Sequence, residues 1–472
     1  MKNIAILGAG PAGLSSAYEL AKISDNFENE YNVVIFEKSS EVGGISKTAL
    51  NNGYYFDLGG HRFFTKIEDV SNMWNDILKD EFILRPRLSR IYYNKKFFNY
   101  PVKVFDAVSK LGLKEDFLIF MSFMKSQMLK RKEISFEDWV SNRFGYRLYS
   151  IFFKTYTEKV WATPCDKIQA EWASQRIKGL SIGAIIKREL LGDKNEVIKT
   201  LIDEFLYPKY GPGQMYSELA KTLTEKDVKI AYNSYISAIT TKENKIVSIV
   251  DNNDNEFEID ELISSIPIDD MVRLLNPPNE VLDAITNLKF RSFIIVNLVF
   301  DNLVDLKDTW IYIHEPEVKL GRVQIFNNWS PHLVKNSNCS SIGAEFFCSE
   351  NDELWVLPDN EIIKKAEEEI KKIDLIPDNF KITDAKVVRV PKAYPVYDEG
   401  YKNNLNIVID YLNAFENLQL IGRAGMFKYN NMDHSIYTGF LAARNIAYGK
   451  KYDIWGVNQD QEYHEEIKSD KW

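Results

Sequence analysis

The spacing of apolar positions changes along the chain, and each change marks an element. Residues 3–8 (NIAILG) form a short apolar β run, after which apolar residues recur at Leu14, Ala17, Leu20 and Ala21 with helical spacing. A second apolar strand, Val33 to Phe36, ends in Glu37, which completes a strand–turn–helix–turn–strand unit. Residues 101–205 read as mostly helical, with few glycines and many aromatic residues. Within them Phe117 to Leu129 is the most apolar stretch. Lys125 and Gln127 interrupt it well short of the roughly 18 apolar residues of a membrane span, so it is predicted as a buried helix. Strand patterns return at Val228–Ile230, Ile246–Val250 and Ile259–Ile266. A further set at 290–300 (FRSFIIVNLVF), 309–313, 322–326 and 341–348 predicts a second sheet. Asp359 to Ile373 is predicted as an amphipathic helix capped by Asp359 or Asn360 after Pro358. Ile407–Ile409 and Leu418–Ile421 read as strands, and Ser435–Tyr448 as a helix.

These elements predict an interleaved α/β organisation. A dinucleotide-binding unit is assembled from residues 1–100, 206–275 and 401–450. A helical domain occupies 101–205, a substrate-side sheet domain 276–400, and a polar tail 451–472. Apolar residues at 45% and charged residues at 27% place the chain among globular proteins. With 59 basic and 68 acidic residues the formal charge is −9, which argues against a general nucleic-acid or membrane-surface role but permits a local basic pocket. Cys165, Cys339 and Cys348 form no CxxC and no even framework, so neither disulfides nor a cysteine-built metal site is expected, and a reducing cytoplasm fits. His314, His332 and His464 lack metal-ligand spacing. The apolar N-terminus is broken by three glycines and Pro11, which argues against a signal peptide.

Those glycines carry the first chemistry. Gly8, Gly10 and Gly13 form GxGxxG between strand and helix. Gly8 permits the tight turn, Gly10 lets backbone approach a pyrophosphate, and Gly13 lets helix and strand pack closely, with phosphate at the helix N-terminus. Glu37 follows at the end of the second strand, where an acid can bind ribose hydroxyls. A glycine-rich turn without a ligand is the alternative, and the strand, helix and acid together oppose it.

The segment after Glu37, from Lys38 through Gly43, Gly44 and Ser46, resembles the E-x-x-x-x-x-G-G motif of the FAD-dependent amine oxidase and protoporphyrinogen oxidase superfamily. Asp57-Leu58-Gly59-Gly60-His61 looks like the glycine-rich strand end beside the flavin ring, Val228-Lys229-Ile230 like the strand whose backbone reads adenine, and Leu420 to Gly425 like the final flavin-contacting segment. The resemblance implies a Rossmann-like FAD-binding domain with an interleaved helical domain and a mixed or antiparallel substrate sheet. It implies FAD, held without a covalent bond, in preference to NAD. The implied contacts run from Gly8, Gly10, Pro11, Ala12 and Gly13 through the second and third segments to Gly422, Arg423, Asn431, Met432, Asp433 and Ser435.

Three further segments resemble one branch, the UDP-galactopyranose mutases: Tyr156-Thr157-Glu158-Lys159-Val160-Trp161 with Trp172 and Arg176 beyond it, Arg322 to Pro331 (RVQIFNNWSP), and Gly422-Arg423 followed by Lys428 to His434. The resemblance implies interconversion of pyranose and furanose nucleotide sugars without net redox change, with N5 of reduced FAD as nucleophile on the anomeric carbon. It implies a UDP-galactose-like substrate and a reductant that is NAD(P)H or a flavin reductase, and it leaves homo-oligomerisation open. Arg176 and Arg322 match the diphosphate arginines, and Tyr312, Tyr394 and Tyr429 the tyrosines that hold the same phosphates. Tyr100, Trp161, Trp310 and Asn328 match other substrate-lining positions, and His61 the histidine beside the flavin. Asp433 is a candidate cap of the last helix, and His434 is expected to order that helix start. The chain departs from the branch at Tyr100-Pro101-Val102-Lys103, where eukaryotic-type mutases carry Tyr-Pro-Phe-Gln around uracil, so another base or sugar stays open. The alternatives are an FAD-dependent oxidoreductase of the amine oxidase or protoporphyrinogen oxidase type, which would need no paired arginines, and a catalytically silent flavoprotein.

Overall fold

A computed structural model describes residues 1–27, 31–100, 102, 104–170 and 204–458. Five strands form one fully parallel sheet in the order Leu418–Leu420, Glu261–Ser264, Lys2–Leu7, Tyr31–Glu37, Lys229–Tyr232. Ile4 to Leu7 in the central strand are all buried, as expected where helices cover both faces. Helices Pro11–Phe27 and Met432–Tyr448 cross in contact: a Cβ on Gly439 would lie 2.4 Å from the Ala12 carbonyl oxygen. Glycine is therefore required at that crossing, and it ties the end of the chain to its start.

The second sheet has seven strands, in the order Ile382–Pro395, Phe290–Phe300, Ser340–Cys348, Arg322–Ile325, Trp310–Ile313, Ser89–Tyr93, Lys96–Asn99. Alternation along the strands splits its two faces. Ile311, Ile313, Val323, Ile325, Ala344 and Phe346 point into a core covered by helix Asp359–Lys372, through Ile362, Ala366 and Ile370. The intervening positions fall on the other face. There Tyr312 pairs with Arg322, and Arg322 with Glu345, in one row across three strands. A one-residue slip would bury this row under the helix and expose the core, so the apolar pattern sets the register of the polar row.

Several elements differ from expectation. Strands Ser89–Tyr93 and Lys96–Asn99 join the substrate-side sheet, because Trp310–Ile313 offers a parallel edge to Ser89–Tyr93, although their position in sequence assigns them to the dinucleotide unit. Ile407–Ile409 lies inside helix Tyr401–Asn413; burial of Val408 and Leu412, four residues apart, selects the helix over the expected strand. Pro358, and neither Asp359 nor Asn360, precedes the first turn of helix Asp359–Lys372. The apolar stretch at 117–129 is helical, within Leu113–Met128, but Ile119 is the one fully buried residue of that helix, and Phe117 is 63% exposed. No helix of the described residues is long and apolar enough to cross a membrane.

Candidate active site

The turn after the first strand is built on glycine where the backbone demands it. Gly8 adopts φ +93° and donates its N–H to the Phe36 carbonyl at 2.8 Å. A Cβ on Gly13 would sit 1.9 Å from the Gly8 oxygen, so no side chain fits there. Gly10 is different: its nearest neighbour from a built Cβ is the Gly44 Cα at 3.9 Å. Two bare backbones thus face each other at the N-terminus of helix Pro11–Phe27, leaving the opening that a pyrophosphate needs. Glu37 accepts from the Ala9 N–H and from both the N–H and Oγ of Ser39, so its carboxylate also braces this turn. Ala12 packs against Gly422, whose own N–H donates to Thr438 Oγ1. Ser46 is buried at the end of the Gly44–Ser46 turn, and Lys38 is exposed over the Tyr235 ring. The Val228 N–H is donated to the Leu223 carbonyl, which removes it from base recognition.

The last helix begins with a capping box. The Asn431 side chain accepts from the His434 N–H, and His434 Nδ1 accepts from the Asn431 N–H. Asn431 is therefore the cap, and Asp433 is not: its buried carboxylate accepts from Thr65 Oγ1 at 2.9 Å. His434 orders the helix start, as its position suggested. Met432 and Ser435 are buried in the first turn.

Strand Tyr54–Asp57 delivers Gly59, Gly60 and His61 to the edge of the polar row. A Cβ on Gly59, at φ +98°, would stand 3.7 Å from both Arg322 Nη2 and His61 Cε1. Burial, then Arg423 and Arg322, push the His61 pKa down to about 3, so its imidazole is neutral. Asp57, fully buried, accepts from the Tyr207 hydroxyl and from Thr48 Oγ1, and anchors the strand end.

Arg322 donates Nε and Nη2 to Glu345 Oε2, and Gln324 donates to Glu345 Oε1. Burial opposes the Arg322 charge, but Glu345 outweighs it and holds the guanidinium protonated. Aromatic rings surround the pair. Tyr156 sits 5.3 Å from Tyr312, which packs on Tyr100 at 4.7 Å; Tyr394 stacks on Tyr429 at 5.6 Å, and Trp161 borders both. Arg423 lies 4.8 Å over the Tyr429 ring and donates Nε to the Asn430 carbonyl. Two arginines and a ring of phenols thus flank the Gly59–His61 turn.

Asn328 has a structural task, and Trp310 lies beside the polar row, 6.3 Å from the Tyr312 ring. Asn328 donates to the Leu306 and Asp308 carbonyls, and its own carbonyl accepts from Arg85, so it clamps loops together. Trp310 stacks on Trp329 inside the sheet's inner packing, with Arg62 4.8 Å over its ring. Arg176 and Trp172 lie outside the described residues. Glu345, Tyr156, Gln324 and Asp57 were not among the expected site residues. A lone acid in the otherwise apolar strand SSIGAEFFC was the available signal for Glu345. Among the described residues, no group of three or more His, Cys, Asp or Glu side chains is placed to hold a metal ion.

Residues 11–447 match the sequence profile of flavin-containing amine oxidoreductases. The chain belongs to the flavin-containing amine oxidoreductase family. FAD is the cofactor of these enzymes, and the bare backbone opening at Gly10 and Gly44 fits its pyrophosphate. This oxidoreductase-family chain is 25% identical over 294 residues to the coproporphyrinogen III oxidase of Staphylococcus aureus, covering 56% of this chain and 60% of the relative. It is 24% identical over 365 residues to the protoporphyrinogen oxidase of Dictyostelium discoideum, covering 64% and 66%. The matched regions span less than two thirds of either relative. The fold aligns with reduced UDP-galactopyranose mutase at a TM-score of 0.82 and 20% identity, covering 95% of this chain and 94% of that one. It aligns with a putative protoporphyrinogen oxidase from Exiguobacterium at 0.72 and 16%, covering 93% and 98%. At these identities the structural likeness establishes the fold, not the reaction.

Proposed function

We propose that this flavoenzyme interconverts the pyranose and furanose forms of a nucleotide sugar. The observation that carries the proposal is the Tyr312–Arg322–Glu345 row beside the Gly59–His61 turn, within a ring of phenols. A sugar mutase must accept a diphosphate leaving group and later return it. That task calls for preorganised donors where negative charge develops. Arg322, fixed by Glu345, supplies a guanidinium whose remaining N–H groups face no competing carboxylate of their own row. Tyr312, Tyr394 and Tyr429 supply hydroxyls, and burial raises the Tyr394 pKa to about 12, so it stays a donor. Neutral His61 accompanies these cations without adding a third charge. Reduced FAD would supply the nucleophile for the anomeric carbon. Arg176 completes the diphosphate pair in this proposal.

A second reading follows from the sequence relatives, both porphyrinogen oxidases: removal of hydride from a porphyrinogen by oxidised FAD. One experiment separates the two. The dithionite-reduced protein is incubated with UDP-galactofuranose and products are resolved by anion exchange. Appearance of UDP-galactopyranose with reduced but not oxidised protein is expected. Oxygen consumption and peroxide release with a porphyrinogen, and no sugar turnover, would establish the oxidase instead.

A further inference from the structure

Helix Leu113–Met128 leaves most of its large apolar residues on its outer face. Beside the buried Ile119, its inward face bonds through polar groups: Glu115 accepts from Arg147 Nε and Nη2 at 2.8 and 2.7 Å, and Ser122 Oγ accepts from the Arg147 N–H. Successive residues turn 100° on a helix, so Leu113, Phe117, Phe120, Met121, Met124 and Met128 share the opposite face. Each is exposed: Leu113 by 90%, Phe117 by 63%, Phe120 by 58% and Met128 by 78%. An ordinary surface helix places charges there. A contiguous apolar face of this kind marks a surface that something covers.

The charges around it identify the occupant. Lys114 and Lys125 flank the apolar face, and the chain continues past the helix as Lys130-Arg131-Lys132, all of them exposed. Of the charged residues nearby, Glu115 is held by Arg147, Glu133 by Arg143 and Arg131 by Glu137, which leaves Lys114, Lys125, Lys130 and Lys132 against Asp116. Residues 113–134 thus contribute five basic against three acidic side chains, within a chain of formal charge −9. A second copy of this chain fits poorly. An antiparallel two-fold pairing centred on Met121 would bring Lys114 of each copy within about one turn of Lys130 and Lys132 of the other. Apolar side chains with lysines along one edge and beyond the helix end instead complement an anionic lipid surface, where aliphatic and aromatic groups enter the headgroup boundary and lysines meet phosphates. Three methionines make the contact adaptable.

We propose that the face formed by Leu113, Phe117, Met121, Met124 and Met128 binds the surface of an anionic bilayer, without spanning it. The proposal departs from the expectation drawn from the whole-chain charge. Net charge averages over the molecule, whereas membrane attraction acts within about a Debye length of 10 Å.

The test is co-sedimentation of the FAD-loaded protein with vesicles of equal parts phosphatidylcholine and phosphatidylglycerol, against phosphatidylcholine alone. Binding to the anionic vesicles should exceed that to neutral ones by about tenfold or more and should weaken in high salt. Phe117→Glu with Met124→Glu should abolish it. Lys125→Glu with Lys130→Glu should reduce it about tenfold or more. Flavin absorbance and melting temperature should match wild type in all variants, since these side chains point away from the packed core. Absence of anionic-vesicle binding in the well-folded wild type overturns the proposal. So does equal binding by the Phe117→Glu, Met124→Glu variant, which would place the contact elsewhere. A dimer by light scattering that dissociates in that variant, with no vesicle binding, would assign the face to a second copy and equally overturn it.

Discussion

At the scale of single residues, the site depends on charge compensation. Arg322 is partly buried and Glu345 completely so, and neither is tolerable without the other. Glu345→Gln should leave an uncompensated guanidinium and cost about 3 kcal/mol of stability, measured by denaturant unfolding of the flavin-free protein. Arg322→Ala should cost about 2–4 kcal/mol in kcat/KM for the nucleotide sugar, and Arg322→Lys less, since it keeps charge but loses the fork. A kcat/KM for Arg322→Ala within about threefold of wild type would remove the diphosphate role. Asp57 supplies a pH effect. Burial, partly offset by hydrogen bonds from Tyr207 and Thr48, raises its pKa from 3.8 to about 7. The folded state thus holds a proton that the unfolded chain releases near pH 4. Its contribution to stability is complete below that pH and is lost as pH rises through about 7. Asp57→Asn should therefore flatten the decline in melting temperature between about pH 5 and about pH 8.

At the scale of elements, the glycines of the first turn separate into two kinds. Gly13 is required by the fold, because a Cβ would occupy the Gly8 carbonyl. At Gly10 protein atoms leave the Cβ direction open, and we assign that space to the cofactor pyrophosphate. Gly13→Ala should lower the melting temperature of the flavin-free protein sharply. Gly10→Val should leave that temperature near wild type while abolishing flavin binding, followed by absorbance of the purified protein. Equal destabilisation by both would mean that the opening at Gly10 is not a ligand space.

At the scale of the molecule, the cofactor site we propose draws on widely separated parts of the chain: Gly8–Gly13, Gly43–Ser46, Gly59–His61 and Gly422–Ser435. A ligand that touches all of them stabilises the folded form by mass action. FAD at about one hundred times its Kd should add about 2.7 kcal/mol of stability and raise the melting temperature by a few degrees. Under mutase turnover the bound flavin should remain reduced, with its absorbance unchanged; stoichiometric reoxidation without oxygen would indicate hydride transfer instead.

The glycine spacing, the acid at Glu37 and the alternation of the 290–348 strands were legible in sequence, because each expresses a local constraint of turn geometry or side-chain period. Those constraints were enough for the first turn, four strands of the second sheet and the flavin, while Ile382–Pro395, Ser89–Tyr93 and Lys96–Asn99 joined that sheet through pairing alone. Ile407–Ile409 misled because three adjacent apolar residues satisfy either period, and only packing of Val408 and Leu412 chose between them. Asn328 carried plausible chemistry, yet its side chain clamps the Leu306 and Asp308 carbonyls. The partnership of Arg322 with Glu345 depends on cross-strand register over 23 residues, and the exposure of Phe117 and Met124 depends on which helix face finds polar partners. Both are outcomes of tertiary packing, since a sequence specifies the side chains available and the assembled fold decides which of them meet.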